Sequence, residues 1–255
     1  MFLPALLLLL AGLFLVAGAI GASATPNDEA SPSRLDFRDY DYPRTQLGNP
    51  TATWFVVNKQ RPITPIEFEP SELEVAPSRE YLDNSRQIQL SPGAARAVSN
   101  LAEAMSAEVG ATLVLHSGYR SYAYQQDLFA SKIVQYGEEL ALIRSAKAGH
   151  SEHQTGLAVD VSAIGYGCVI DQCFGDTEPG KWIAENSWRY GFIVRYQLGA
   201  TNVSGYAYEP WHLRYLGVQL ANEYHSSGAT TLEEFWGLPP AASYVEEPIT
   251  ESTSP

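Results

Sequence analysis

The chain has 255 residues, 45% hydrophobic and 18% charged, which suits a globular protein with a sizeable core and excludes a wholly disordered one. Its 29 acidic and 16 basic residues leave a formal charge of −13, which argues against a nucleic-acid partner and against adsorption to an anionic bilayer. Five histidines and two cysteines are few enough for their positions to carry information.

Residues Phe2 to Ala22 hold no charged side chain, so residues 1–24 read as a signal peptide or a membrane anchor, with Ala22-Ser23-Ala24 offering a cleavage site. The rest of the chain is then expected outside the cytoplasm, secreted or held at the cell membrane. Residues 25–50, with Pro26, Pro32, Pro43 and Pro50, read as a flexible linker. Residues 239–255 read as a disordered acidic tail. The stretch between them, 51–238, shows no repeat and no second shift in composition, and is expected to be one domain and a monomer.

Within that domain Ser91-Pro92 opens a helix on which Ala94, Val98, Leu101 and Met105 recur at helical spacing up to Gly110. Thr112 to Leu115 reads as a strand. Ser121 caps a helix carrying Tyr122, Gln125, Phe129, Ile133 and Tyr136 along one side, and Glu138 to Lys147 suggests another. Gly156 to Val161 and Phe192 to Tyr196 read as strands, separated by a helix that contains Trp182 and Ile183 and closes by Gly191. Two short helices come after Gly217. Helices come in pairs between isolated strands, which favours an α+β fold, a small central antiparallel sheet flanked by helices, over a doubly wound one.

Cys168 and Cys173 lie close together, and in an exported protein this points to a local disulfide; half of a zinc site is the alternative. Two histidines keep unusual company. His153 precedes Asp160, a carboxylate set in the otherwise apolar run Leu157 to Val161, which must be paired or metal-bound because burying it bare costs several kcal/mol. His212 comes directly after Glu209-Pro210-Trp211, where Pro210 keeps Glu209 out of the helical region. Two imidazoles and a carboxylate make the three-ligand shell of a catalytic zinc, with Glu209 beside it as general base. A salt-bridged Asp160, paired with Arg120 or Arg214, is the competing reading. His225 reads as a surface or packing residue, His150 is left open between an ordinary structural residue and one that orients a ligand, and His116 reads as lining or filling a cleft.

Three blocks of sequence resemble a known family: Ser117-Gly118-Tyr119-Arg120-Ser121-Tyr122 with Gln125, Leu128 and Phe129; Gly149 to Asp160, matching S-x-H-x-x-G-x-A-x-D; and Glu209 to Tyr215. The resemblance is to the VanY-type D-alanyl-D-alanine carboxypeptidases, zinc peptidases that share a fold with the hedgehog signalling domain, and it runs through residues 54–236. It implies His153, Asp160 and His212 as ligands of Zn2+, Glu209 as the catalytic base, and Arg120 as a cation beside the substrate carbonyl or carboxylate. Gln125 and Ser151 are expected substrate contacts, and Trp211 and Tyr215 are expected either to contact substrate or to pack the site. Ala148 and the pair Gln197-Leu198 depart from the family's pattern, where Pro is frequent. The implied activity is removal of a terminal D-alanine from a peptidoglycan stem peptide, across a D,D- or an L,D-bond, outside a bacterial cell. An endopeptidase of the same fold and a non-catalytic zinc-binding wall module are the alternatives, and a general base at Glu209 speaks against the second.

Overall fold

Helix α1 (Pro92–Val109) starts where Ser91-Pro92 places it and ends at Gly110 in the left-handed region, φ +69°. The computed structural model describes residues 47–245. The apolar row of α1, Ala94, Val98, Leu101 and Met105, is fully buried against the sheet and forms one core with Leu113, Leu115, Val159, Val161, Phe192 and Leu213.

The five-stranded sheet runs β2 (Leu82–Asp83), β4 (Leu113–Ser117), β5 (Ala158–Ala163), β7 (Glu209–Tyr215), β6 (Phe192–Tyr196). The sheet is mixed: β2 and β4 are parallel, a correction to the all-antiparallel expectation, and every other neighbouring pair is antiparallel. A separate hairpin-like pair joins β1 (Glu74–Val75) to β3 (Gln89–Leu90). These two-residue strands are too short to show a period in the sequence.

The remaining helices are α2 (Tyr122–Tyr136), α3 (Glu138–Arg144), α4 (Glu178–Asn186), α5 (Thr201–Ser204), α6 (Val218–Ser227) and α7 (Leu232–Trp236). The Ser121 hydroxyl caps α2 by accepting from the Tyr124 amide, as expected of an N-cap serine. The expected apolar side of α2 is not a core face. Only Gln125 is buried on it, and Tyr124, Leu128 and Lys132 line a cleft instead.

Both flanks of the expected domain move outward. Leu47 is buried with Val56, Leu216, Leu220 and Trp236, so packing begins before residue 51. Residues 239–245, expected in the tail, lie on the domain: the Ala241 amide donates to Val203 O at 2.7 Å and Tyr244 Oη accepts from the Lys147 amide at 2.8 Å. The signal or anchor 1–24, the linker to residue 46 and the tail from residue 246 lie outside the described residues. Among the described residues no helix is long and apolar enough to cross a membrane. Cys168 and Cys173 are joined in a disulfide.

Leu101 sits at the centre of the α1 interface, wholly buried. Leu101→Ala is therefore expected to lower the free energy of unfolding by about 2–5 kcal/mol, measured by urea titration, by removing buried surface and leaving a cavity.

Candidate active site

Three adjacent strands set the centre of the site. Asp160 on β5 pairs in register with Ser117 on β4 and with His212 on β7, so their side chains share one row of the sheet. The register slips on both sides of that row. Between Leu115 and Ser117 strand β4 advances two residues while β5 advances one, and between Val194 and Tyr196 strand β6 advances two while β7 advances from Leu213 to Glu209. Such bulges re-aim side chains, and the second lets Glu209 and His212 serve the same cavity.

His153 arrives from a 3-10 turn, Glu152–Thr155, which Ser151 caps and Gly156 ends in the left-handed region at φ +70°. Its ring is fixed by Nδ1–H, which donates to Gly118 O at 2.7 Å and leaves Nε2 as the lone-pair nitrogen facing Asp160. Gly118 is obligatory there, because a Cβ would stand 2.4 Å from Gln89 O. His212 is turned the other way: Nε2–H donates to Glu152 Oε2 at 3.1 Å, and Nδ1 lies 3.3 Å from Asp160 Oδ1.

His153, Asp160 and His212 thus present ligand atoms within 4.8 Å of one another, all buried. His153 Nε2 and Asp160 Oδ1 are buried with no hydrogen-bond partner, which leaves both atoms available to hold a cation. Two imidazole nitrogens and one carboxylate oxygen are the donor set of a catalytic zinc site, and the residues present fit that ion.

The surroundings divide the two imidazoles electrostatically. Burial and the Arg120 guanidinium push His153 down to about 4, so it is neutral. Burial opposes charge on His212 as well, but Asp160 and Glu152 at its two nitrogens outweigh it and raise it to about 9, a potential that favours a cation at Nδ1. Glu209, 3.7 Å from that nitrogen, is raised to about 8 by burial. A carboxylate held near neutral pH suits general base and acid work.

Arg120 bonds to Ser117 Oγ at 2.8 Å through Nη1 and to Gln125 Oε1 at 2.9 Å through Nε, and reaches Asp160 Oδ2 at 3.5 Å. It lines a cavity of about 370 Å³ with His153, Asp160, Glu209 and His212. Of the expected substrate contacts, Ser151 and Trp211 line that cavity and Gln125 and Tyr215 do not. Gln125 is wholly buried, its oxygen on Arg120 and its nitrogen on Ala146 O at 2.6 Å, so it positions the arginine. Tyr215 packs against Phe192 and Gly93 in the sheet–helix interface. Asp160 takes Arg120 as its cationic neighbour; Arg214 goes elsewhere.

Arg214 is part of a buried network that sequence reasoning missed. Glu152 Oε1 accepts from Arg195 Nε at 2.8 Å and Arg214 Nη1 at 2.9 Å, Arg195 donates twice to Glu233, and Asn58 Nδ2 donates to Glu233 at 2.8 Å. The signal was the one that exposed Asp160: Arg195 and Arg214 are charges inside apolar strands. His150 does not touch the three ligand residues; its Nδ1 meets Asn58 O at 2.8 Å and its ring meets Tyr244 edge-on. His116 lines the cavity with Nε2 on Ser162 Oγ, and His225 stacks on Trp188.

Comparison with known proteins places this geometry. A family model described as "VanY: D-alanyl-D-alanine carboxypeptidase" matches residues 87–218. The YodJ protein of Bacillus subtilis (strain 168) is 38% identical over 192 residues, covering 74% of this chain and 69% of that one. The solved structure of the LdcB LD-carboxypeptidase is 36% identical, with a TM-score of 0.66 over 77% of this chain and 90% of that one. A variant of the D,D-pentapeptidase VanY, solved in complex with Zn(II), is 32% identical, with a TM-score of 0.59 over 71% of this chain and 96% of that one.

Burial alone raises Glu152 and Glu233, but the arginines outweigh it and hold both carboxyls below the usual range. Depressed carboxylates stabilise the fold above their unfolded pKa of about 4.3, and that contribution is lost as pH falls. Unfolding free energy is thus expected to drop on acidification below about pH 4. Glu152→Gln is expected to cost about 3–5 kcal/mol by urea titration, because it leaves the buried Arg214 guanidinium without its carboxylate while Arg195 keeps only Glu233. The same variant should weaken metal binding about 10–100-fold in equilibrium dialysis.

Proposed function

The chain belongs to the VanY family of D-alanyl-D-alanine carboxypeptidases, and from that premise we propose how its own residues carry out the reaction. The protein is a zinc-dependent carboxypeptidase that hydrolyses the terminal D-alanine from peptidoglycan stem peptides, acting outside the cytoplasm where that polymer lies. One observation carries the assignment of roles: three inward-facing candidate ligand atoms, two of them without hydrogen-bond partners, share a cleft with the Glu209 carboxyl and a guanidinium.

His153 through Nε2, His212 through Nδ1 and Asp160 would hold the zinc ion. When bound, zinc supplies Lewis acidity that polarises a carbonyl and acidifies water. Glu209 lies on the same side of His212 and takes the proton of the attacking water, then returns it to the leaving amine. Arg120, anchored by Ser117 and Gln125, keeps donor capacity toward the cavity and stabilises either the oxyanion formed at the scissile carbonyl or the terminal carboxylate. Ser151 is buried, accepts from the His153 amide and lies 3.5 Å from Arg120 Nη2, in the cavity wall beside which the terminal residue would sit. Trp211 supplies an apolar wall. The uncharged segment Phe2 to Ala22 is assigned the export step, by cleavage or by retention as an anchor.

Incubation of the purified chain with synthetic tetra- and pentapeptide stems is expected to release D-alanine, read by mass spectrometry. Chelation should abolish release and zinc should restore it. Glu209→Ala should reduce kcat by about 10²–10⁴-fold with the fold intact. Absence of release from both peptides in zinc-replete buffer, or full activity in Glu209→Ala, would overturn the assignment.

A further inference from the structure

The catalytic cavity does not end at Glu209. Glu209 and Trp211 also line an adjoining cavity of about 200 Å³, and Lys132, Arg144 and Ile170 line both. Cations are scarce in this protein, and those near the catalytic centre are mostly committed. Arg195 and Arg214 are bound to buried carboxylates and Arg120 to Asp160 and its neighbours, whereas Arg86, which lines the catalytic cavity, forms no ion pair among the described residues.

Lys132 and Arg144 differ from these in lining both cavities. Neither forms an ion pair with a carboxylate among the described residues. They come from separate helices, α2 and α3, and are held against the same ring: Lys132 Nζ lies 5.6 Å and Arg144 Cζ 5.0 Å from the Tyr136 centroid. A cation over an aromatic face is oriented at little further entropic cost while its N–H groups stay available. Arg144 ends α3 and complements its dipole, but Lys132 lies inside α2, where no helix terminus calls for it. The one other carboxylate lining the adjoining cavity, Asp171, accepts from the Cys173 amide at 3.0 Å and pairs with neither cation. Two like charges held together without a protein counter-ion, beside a general base, match an anion brought by the substrate.

We infer that Lys132 and Arg144 form a specificity subsite for a free carboxylate on the acyl side of the scissile bond, so that stem peptides carrying that carboxylate are preferred over their carboxamide forms. The inference rests on the carboxypeptidase reading for its direction: with Arg120 at the terminal residue, the cavity beyond Glu209 takes the residues before the bond. The disulfide-closed loop supplies Ile170 as the opposite, apolar wall.

The test is calorimetric titration of the zinc-loaded Glu209→Ala chain with peptide pairs ending in D-alanine. Within each pair, the residue one or two places before the scissile bond carries a free carboxylate or its carboxamide. A carboxylate peptide should bind about tenfold more tightly than its carboxamide partner. That preference should fall to near unity on adding Lys132→Gln with Arg144→Gln, persist with the charge-conserving Lys132→Arg, and persist with Lys181→Gln on the distant helix α4. It should also shrink as ionic strength rises. Equal binding within every pair, or a preference that survives the double substitution, would overturn the subsite. If the preference holds but the unsubstituted chain releases no D-alanine from any of the peptides, the carboxypeptidase reading fails and the anion subsite stands.

Discussion

Glu152 is the carboxylate on which the site depends. It is fully buried next to a proposed ligand, His153, and it accepts from two arginines and from the other histidine of the set. A bare carboxylate there would cost several kcal/mol, so the partners are a condition of folding that turn. Arg195 brings β6, Arg214 and His212 bring β7, and Glu233 closes the far side of Arg195 from α7. One side chain thereby ties the turn that carries His153 to the strands that carry the rest of the chemistry, and it fixes the His212 ring with Nδ1 inward.

The two imidazoles reach the same point by different routes. His153 comes from a loop and uses its distal nitrogen, with the proximal one spent on Gly118 O. His212 comes from a strand and uses its proximal nitrogen, with the distal one spent on Glu152. The strand-borne arm is the shorter, so in the proposed site the sheet, through Asp160 and His212, would set where an ion sits. Opposite electrostatic environments result from that arrangement: a neutral donor beside Arg120, and a cation-seeking one between two carboxylates.

Much of this is legible in the sequence because it is local. Ser91-Pro92, Ser121 and Gly191 punctuate elements, and α1 announces its core face by period. Asp160 stands out as a carboxylate in an apolar run, and His212 as an imidazole directly after Glu209-Pro210-Trp211. The part that cannot be read there depends on pairing across the sheet. That Glu209 and His212 work together is legible, but nothing local says that a bulge brings them to one cavity, or that Gln125 spends its amide on Arg120 while Tyr215 turns into the core. Residues 239–245 have the composition of a tail and are recruited to the domain by Tyr244 and Ala241, contacts that no periodicity announces. Glu152 is hidden by its neighbours, since a Glu beside a histidine motif looks like an ordinary solvated charge until Arg195 and Arg214 are seen to point at it.

The bond between Asn58 and Glu233 spans 175 residues, and the links from Glu152 to Arg195 and Arg214 span 43 and 62. A chain is made from its N-terminus to its C-terminus, so the proposed metal-binding turn emerges well before the partners that neutralise it. Until α7 has appeared, the carboxylate of the turn and the arginines of the strands cannot all be matched, and contacts this distant in sequence form late. The catalytic centre is therefore a property of the finished chain: a nascent or truncated copy carries every proposed ligand and still lacks the means to hold them in place.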